Sequence, residues 1–356
     1  MSQTTPTTAA DEFAEHGKSP MQRVQSTLHK YPWVSPLVVL ALLIIIFIVM
    51  GLVFDIGSLE NFIKPNTISL MLQQTVIVGT LAIAQTIVIL TAGIDLSIGA
   101  IMVFGQMVMA NLAVYVTASN VTFLAGQNPV VAVLAGILVA TLAGALNGFL
   151  IVRFNLPPFI VTLGTLNIAF AITQLYSGSQ TVTEVSDGLT WLGNSFRIGE
   201  TNILYGVVLM LALYLITWLF LRETAPGRHI YAVGNSPEAT RLTGISTDKV
   251  LLGVYVLAGV FYGLASLLSV ARIGAGDPNA GQTENLDAIT AVVLGGTSLF
   301  GGRGMILGTL VGALIVGVFR NGLTLMGVSS VYQILVTGIL VILAVATDQL
   351  SRKGVR

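Results

Sequence analysis

The chain is predicted to be an all-α, polytopic membrane protein with about ten transmembrane helices. Three observations predict this class. Only 9% of the 356 residues are charged, against about 25% in typical soluble domains. Hydrophobic residues make up 54%, and mean hydropathy is strongly positive. The charges that are present cut the chain into apolar runs, several of them close to the roughly 20 residues that a helix needs to cross a bilayer.

The runs give the spans in order. Trp33 to Phe54 is the first, and Pro65 to Ile94 holds the second. Leu96 to Val152 carries no charge and has room for two, with a break at Gly126-Gln127-Asn128-Pro129. Phe154 to Thr183 holds the fifth span, Thr201 to Leu221 is the sixth, and Val250 to Ala271 is the seventh. The remaining candidates are Ala288 to Gly302, Gly304 to Leu325 and Ser330 to Thr347. The run from Ala288 to Gly302 would reach only about 22 Å as a helix, short of a hydrocarbon core of about 30 Å. Short, glycine-rich segments are what transporters use for broken helices along a permeation path, and a loop dipping into the protein without touching substrate is the other reading. In domain terms, 1–32 is an N-terminal tail, 33–348 the transmembrane domain with a polar loop at 222–249, and 349–356 a C-terminal tail.

Positive charge fixes the expected orientation. With both termini inside, twelve Lys and Arg residues fall on the cytoplasmic side, among them Arg153, Arg222, Arg228, Arg241, Lys249 and Arg303. Lys64, Arg197 and Arg272 fall outside, joined by Arg320 if its side chain snorkels outward. Outer loops are acidic, with Asp55, Glu60, Glu184, Asp187, Glu200, Asp277, Glu284 and Asp287. They are either solvated loop charge or a docking face for an external partner.

Several chemistries are excluded. There is no cysteine, so disulfides, thiol nucleophiles and thiolate metal sites are absent. His16, His29 and His229 have no metal-ligand spacing, and no cofactor is expected. A net charge of zero gives no general attraction to nucleic acid. Gly17-Lys18-Ser19 ends like a phosphate-binding loop, but position 12 is Glu and no strand precedes it. The chain is therefore not expected to be an enzyme, and ATP hydrolysis would belong to a separate chain.

The long polar stretch Arg222 to Lys249 contains signals for one short helix. Ser236 can cap it, Pro237 suits the first turn, and Glu238 favours the positive end of the helix. Gly244 is placed to end it in a left-handed conformation. Such a helix is too short to be stable alone and must dock. Either it meets a partner, or the stretch is a plain connector.

Two further stretches stand out. Thr91 to Gly99, T-A-G-I-D-L-S-I-G, carries Asp95, the only ionisable residue between Lys64 and Arg153. At membrane depth such a carboxylate marks function or a buried partner. The preferred reading, over direct substrate contact, is the cytoplasmic turn between the second and third spans, where Asp95 caps the third helix through amides near Ser97. Leu294 to Gly304, L-G-G-T-S-L-F-G-G-R-G, is followed by Gly308 and Gly312. Gly304, Gly308 and Gly312 recur every four residues and predict a close helix contact. Candidates for a translocation path are the uncharged polar groups of the spans, notably Gln85, Asn167, Gln174, Thr297 and Ser298, together with Asp95. Asn167 and Gln174 are seven apart and share a helix face. Interhelical hydrogen bonding is the competing role for each.

These stretches carry a resemblance. Glu238-Ala239-Thr240, three residues and Gly244 resemble the E-A-A-x-x-x-G loop of ABC importer permeases, with Thr240 departing from the second Ala. Gly227 to Asn235, Thr91 to Gly99 and Leu286 to Gly304 are similar to the ribose, xylose and fructose branch of that family, in the family's order. The resemblance covers roughly residues 60–350. It implies a ten-helix fold like that of the cobalamin importers and a bacterial inner-membrane location. It also implies monosaccharide import by two permease copies, with a separate ABC ATPase and a periplasmic sugar-binding protein. ATPase coupling would then fall to Gly227, Arg228, Gly234, Pro237, Glu238, Ala239 and Gly244. A permease for branched-chain amino acids or nucleosides is the related alternative, and a stand-alone secondary transporter the more distant one.

Overall fold

The computed structural model describes residues 34–53, 64–114 and 126–353. The expected N-terminal tail, Asp55 and Glu60 lie outside these residues. Ten principal helices follow the expected runs: α1 Val34–Val53, α2 Pro65–Leu90, α3 Ile98–Leu112, α4 Pro129–Phe154, α5 Pro158–Ser177, α7 Tyr205–Glu223, α10 Thr247–Ile273, α11 Glu284–Leu294, α12 Ile306–Leu325 and α13 Ser330–Lys353. Three short helices complete the set, α6 Asp187–Thr190, α8 Ala225–Asn235 and α9 Pro237–Leu242. Seven helices (α1, α2, α4, α5, α7, α10 and α12) are long and apolar enough to cross a membrane.

One departure from the all-α expectation is a two-stranded antiparallel hairpin, β1 Ser195–Ile198 and β2 Thr201–Leu204. Its base is held by a stack of aromatic rings, with Trp191 and Phe196 lying 4.9 and 5.3 Å from Tyr205. No alternation long enough to signal strands is present in four-residue segments.

Helix α2 is the centre of the molecule. It is buried along most of its length, and α10, α11 and α12 pack around it. The periphery is the reverse of a soluble surface. Leu134, Leu138, Leu142 and Leu146 recur every fourth residue along the exposed face of α4. On its other face, Ala132, Gly136, Ala140, Gly144 and Gly148 are buried. These small residues let α4 approach α3 and α10, where a Cβ on Gly144 would lie 2.5 Å from the Tyr255 carbonyl oxygen. Close backbone approach of this kind is the usual basis of helix pairing in lipid, where water drives no apolar association.

Two of the crossings are broken. After α2 ends, residues 91–97 run without helix to the level of Tyr262, midway along α10, and only then does α3 start. From the opposite end, residues 274–283 run antiparallel along α3. The Ala275 carbonyl meets Gln106, Gly276 faces Ala110, and Gly281 touches Gly99. Helix α11 then starts beside the start of α3, where the Asn285 amide donates to the Leu96 carbonyl at 3.4 Å. The two short helices thus begin together and point to opposite ends of the bundle. Helix α11, with 11 residues, covers only the first half of the Ala288–Gly302 run and starts earlier, at Glu284, while the glycine-rich half from Gly295 to Gly302 is loop.

The small-residue stripe of α12 lies on α11. A Cβ on Gly308 would fall 2.1 Å from the Gly295 oxygen, and one on Gly312 would fall 1.9 Å from the Ala291 oxygen. Farther along the same seam, Arg320 pairs with the fully buried Asp287. Two expectations change here. Asp287 is not an exposed loop charge, and Arg320 does not reach outward alone but joins Asp287 and the Thr283 hydroxyl, at 2.8 Å from the latter.

Gly308→Leu inserts a branched side chain into a backbone contact, an overpacking expected to cost about 1–3 kcal/mol or more. It should lower the yield of monodisperse protein in detergent, while Leu307→Ala, at an exposed neighbour, should not. Equal yields for both would contradict the packing.

Candidate coupling junction and translocation site

The polar loop folds into two helices, not one. Thr224 caps α8 by accepting from the Gly227 amide at 3.1 Å, and a proline follows in the first turn. The signal was present in Thr224-Ala225-Pro226. Gly227 sits directly against the Phe220 and Leu221 backbone, so α8 folds back on α7. Arg228 is exposed and donates to the Glu223 carbonyl at 3.3 Å.

The next turn places α9. Ser236 accepts from the Ala239 amide at 3.3 Å, Pro237 occupies the first turn, and Gly244 has φ +85. This is the start and stop that the residue pattern predicts, with the regular helix ending at Leu242. Glu238 and Ala239 face outward, whereas Thr240 is buried and donates to the Ser236 carbonyl at 2.8 Å. The residue that departs from the family pattern is therefore on the inward face. Leu242, two residues on, is 89% exposed.

Helix α8 ends on a junction of three loops. The Gly302 amide donates to the Leu90 carbonyl at 2.9 Å. A Cβ on Gly234 would lie 1.7 Å from that same oxygen, so no other residue fits there without displacement. Gly301 has φ +80 and lies against the Ala92 amide, while Ala92 itself has φ +62, an uncommon state for a residue with a side chain. Tyr231 on α8 donates to the Gly304 carbonyl at 3.2 Å, and its burial raises the hydroxyl above its ordinary pKa. The three sequence stretches, far apart in the chain, thus share one contact.

Asp95 is buried inside the bundle rather than at a surface turn. Its Oδ1 accepts from the Ser97 amide at 2.7 Å and the Ser97 hydroxyl at 2.5 Å, and its Oδ2 accepts from Tyr262 at 2.8 Å. Asn147 donates to the Ser97 Oγ at 2.9 Å, and Thr165 to the Asn147 Oδ1 at 2.5 Å. Four elements (the 91–97 segment, α4, α5 and α10) are joined in one network. Three donors on a carboxylate offset much of the cost of burying it. The expected bond to the Ser97 amide is present. Tyr262, Asn147 and Thr165 were not legible as its partners, because pairing across helices leaves no local signal.

The remaining path candidates are scattered. Gln85 is fully buried on α2, and neither end of its amide has a hydrogen-bond partner among the described residues. Thr297 is buried against Gly304, and Ser298 is buried next to it. Asn167 is exposed and bonds its own helix at Leu163. Gln174, on the same helix, reaches to another segment and donates to the Pro278 carbonyl at 3.2 Å and the Asn279 Oδ1 at 3.1 Å. The structure does not gather these six residues into one lining.

Asp95→Asn keeps an acceptor for the Ser97 amide but weakens the bond from Tyr262, at an expected cost of about 1–3 kcal/mol. Asp95→Ala should cost more, since three buried donors lose their acceptor. Tyr262→Phe should destabilise the wild type more than the Asp95→Asn background in thermal unfolding. Equal effects in both backgrounds would show that the two residues are not coupled.

Comparison with known proteins gives a consistent picture. The family described as branched-chain amino acid transport system / permease component matches residues 67–345. The fructose import permease of Rhizobium meliloti is 45% identical over 347 residues, covering 96% of this chain and 92% of that protein. A ribose import permease of Bacillus subtilis is 38% identical, covering 81% and 86%. The D-allose transport system permease of Escherichia coli K12 is 37% identical, covering 86% and 91%. The matched region begins in α2 and ends in α13, so it contains the junction, the Asp95 network and both broken crossings. On this evidence the chain belongs to the family of transport-system permease components.

Proposed function

We propose that the chain is the membrane-spanning permease of a bacterial ABC importer and carries a monosaccharide across the inner membrane. In this reading two copies form the pore, an ABC ATPase docks on α8 and α9, and a periplasmic sugar-binding protein delivers substrate to the opposite end. The chain itself hydrolyses nothing. About ten crossings, as in the cobalamin importers, would come from the seven long helices together with α3, α11 and α13.

The observation that carries the reading is the form of α9. It is a capped, largely exposed helix of six residues that contacts α8 and α10. Such a helix has little reason to persist unless something covers it. Leu242 gives that surface an apolar contact, and Glu238 and Arg241 give it charge on the same side. Arg153, Arg222, Arg228, Arg241, Lys249 and Arg303 belong to this end of the bundle, which supports a cytoplasmic orientation for it. Fructose, ribose and allose in the relatives' names support a monosaccharide. The family's description also names branched-chain amino acids, and uptake assays separate the two.

Gly244→Val forces a β-branched residue into φ +85, where only glycine is comfortable. The variant should insert into the membrane yet lose co-purification with the ATPase, and sugar uptake should fall with it. Glu238→Arg should weaken the same complex. If both variants retain complex formation and uptake, α9 is a connector and the coupling claim fails.

A further inference from the structure

We propose that the cavity between α3, α5 and the 278–285 segment is a subsite for one ring of the transported monosaccharide, with Phe170 as its platform and the Gln282 and Asn285 amides as its hydrogen-bonding edge. This rests on the reading that the chain carries such a sugar, and it names where the sugar passes.

Position is the first argument. The cavity opens where α3 and α11 begin side by side, between Leu96, Val103 and the first residues of α11. This is the one stretch, among the described residues, where two broken crossings meet midway along the bundle. Irregular backbone at that depth is tolerated where protein buries it or where it borders a cavity, and here it borders one.

Chemistry is the second. The lining holds no charged side chain. A zwitterion placed there would keep two full charges without a counter-charge, at a cost of several kcal/mol for each. A neutral polyol has no such penalty. Phe170 is 44% exposed on α5, and aromatic rings bind through flat apolar faces, which the C–H face of a sugar provides. Gln282 is exposed and makes no hydrogen bond among the described residues. Asn285 spends its amide on a single long bond to Leu96, at 3.4 Å, and on the Leu286 amide. Each side-chain amide both donates and accepts, as each sugar hydroxyl does.

Size is the third. The void is about 150 Å³, a volume that takes a six-membered carbon ring. It is below the roughly 300–1,000 Å³ of pockets for drug-sized ligands. Helix α5 is the element on which Asn167 and Gln174 were singled out, but the cavity uses its neighbouring face at 166, 170 and 173. Gln174 has a different part, since its bonds to Pro278 and Asn279 hold the 278–285 segment against α5. Gln174 is a positioning residue.

The test uses the whole importer in cells, with its own ATPase and binding protein. Uptake of D-fructose, D-ribose, D-allose and L-leucine is measured first. If only leucine enters, the sugar reading fails, and the subsite falls with it. With a carried sugar as probe, Phe170→Ala should lower uptake about tenfold at an unchanged membrane level. Phe170→Trp should retain it, and Leu175→Ala, at an 84% exposed position on the same helix, should have no effect. Because the chain has no cysteine, Gln282→Cys supplies a single thiol for N-ethylmaleimide. Its labelling in membranes should be lost when the sugar is being transported. Unchanged uptake by an assembled Phe170→Ala variant overturns the proposal while leaving sugar import intact. So does Gln282→Cys labelling that is indifferent to the sugar, and this second readout decides the matter if Phe170→Ala fails to assemble.

Discussion

A single backbone hydrogen bond, from the Gly302 amide to the Leu90 carbonyl, marks the contact on which the rest of this structure depends. It can form because two of the three segments that meet there carry glycine where any side chain would collide. Gly234 brings the end of α8 against the end of α2. Gly301 and Gly302 bring the loop after α11 against both. Each approach is between backbones, and backbone does not change rotamer to absorb a displacement. In the proposed coupling, a push on α9 would pass to α8 and, through the junction, to the end of α2 and the loop that closes α11. Packed contacts of this type shift between discrete arrangements more readily than they deform.

Beyond the junction, the two paths lead to the same place. From Leu90 the chain runs through Ala92 to Asp95, whose network joins four elements. From Gly301 it runs back along α11 to Asn285, beside Leu96. The ends of these two routes frame the cavity. The fold thus connects a solvent-facing helix at one end with a mid-bundle void through two short segments. The small-residue seams that α4 makes with α10 and α12 makes with α11 keep the surrounding helices close enough for those segments to be held. The buried Asp287–Arg320 pair fixes the far end of α11, where an unpaired charge would be costly.

Much of this was legible in the residues. Composition and charge spacing located the helices, because a bilayer crossing requires a long apolar run whatever its partners. The α9 boundaries followed from Ser236, Pro237 and Gly244, since caps are local chemistry. The α12 stripe followed from Gly308 and Gly312, while Gly304, expected on the same face, lies in the loop before α12 and packs on Thr297. The repeat Ala132, Gly136, Ala140, Gly144, Gly148 is an equally readable stripe on α4. Other features depend on long-range approach and leave no local pattern. Nothing near Asp95 identifies Tyr262 as its partner, 167 residues away. Nothing near Leu96 foretells Asn285. The hairpin at 195–204 is too short for alternation to register. Helix α8 is the intermediate case, with a cap and a proline at Thr224 and Pro226 outweighed by the polar, glycine-containing sequence that follows.

The central claim is that the glycine junction transmits motion between α9 and the broken crossings. Gly301→Ala tests it most directly. The added methyl lies 2.7 Å from the Ala92 amide, in a residue held at φ +80, and it touches no part of α9. Coupling is measured as sugar molecules imported per ATP hydrolysed by the purified, reconstituted importer. The account predicts that the variant still binds the ATPase and supports hydrolysis, but that the ratio falls sharply. A variant that assembles and transports with an unchanged ratio would show that the junction is structural only, and that force reaches the pore by another route.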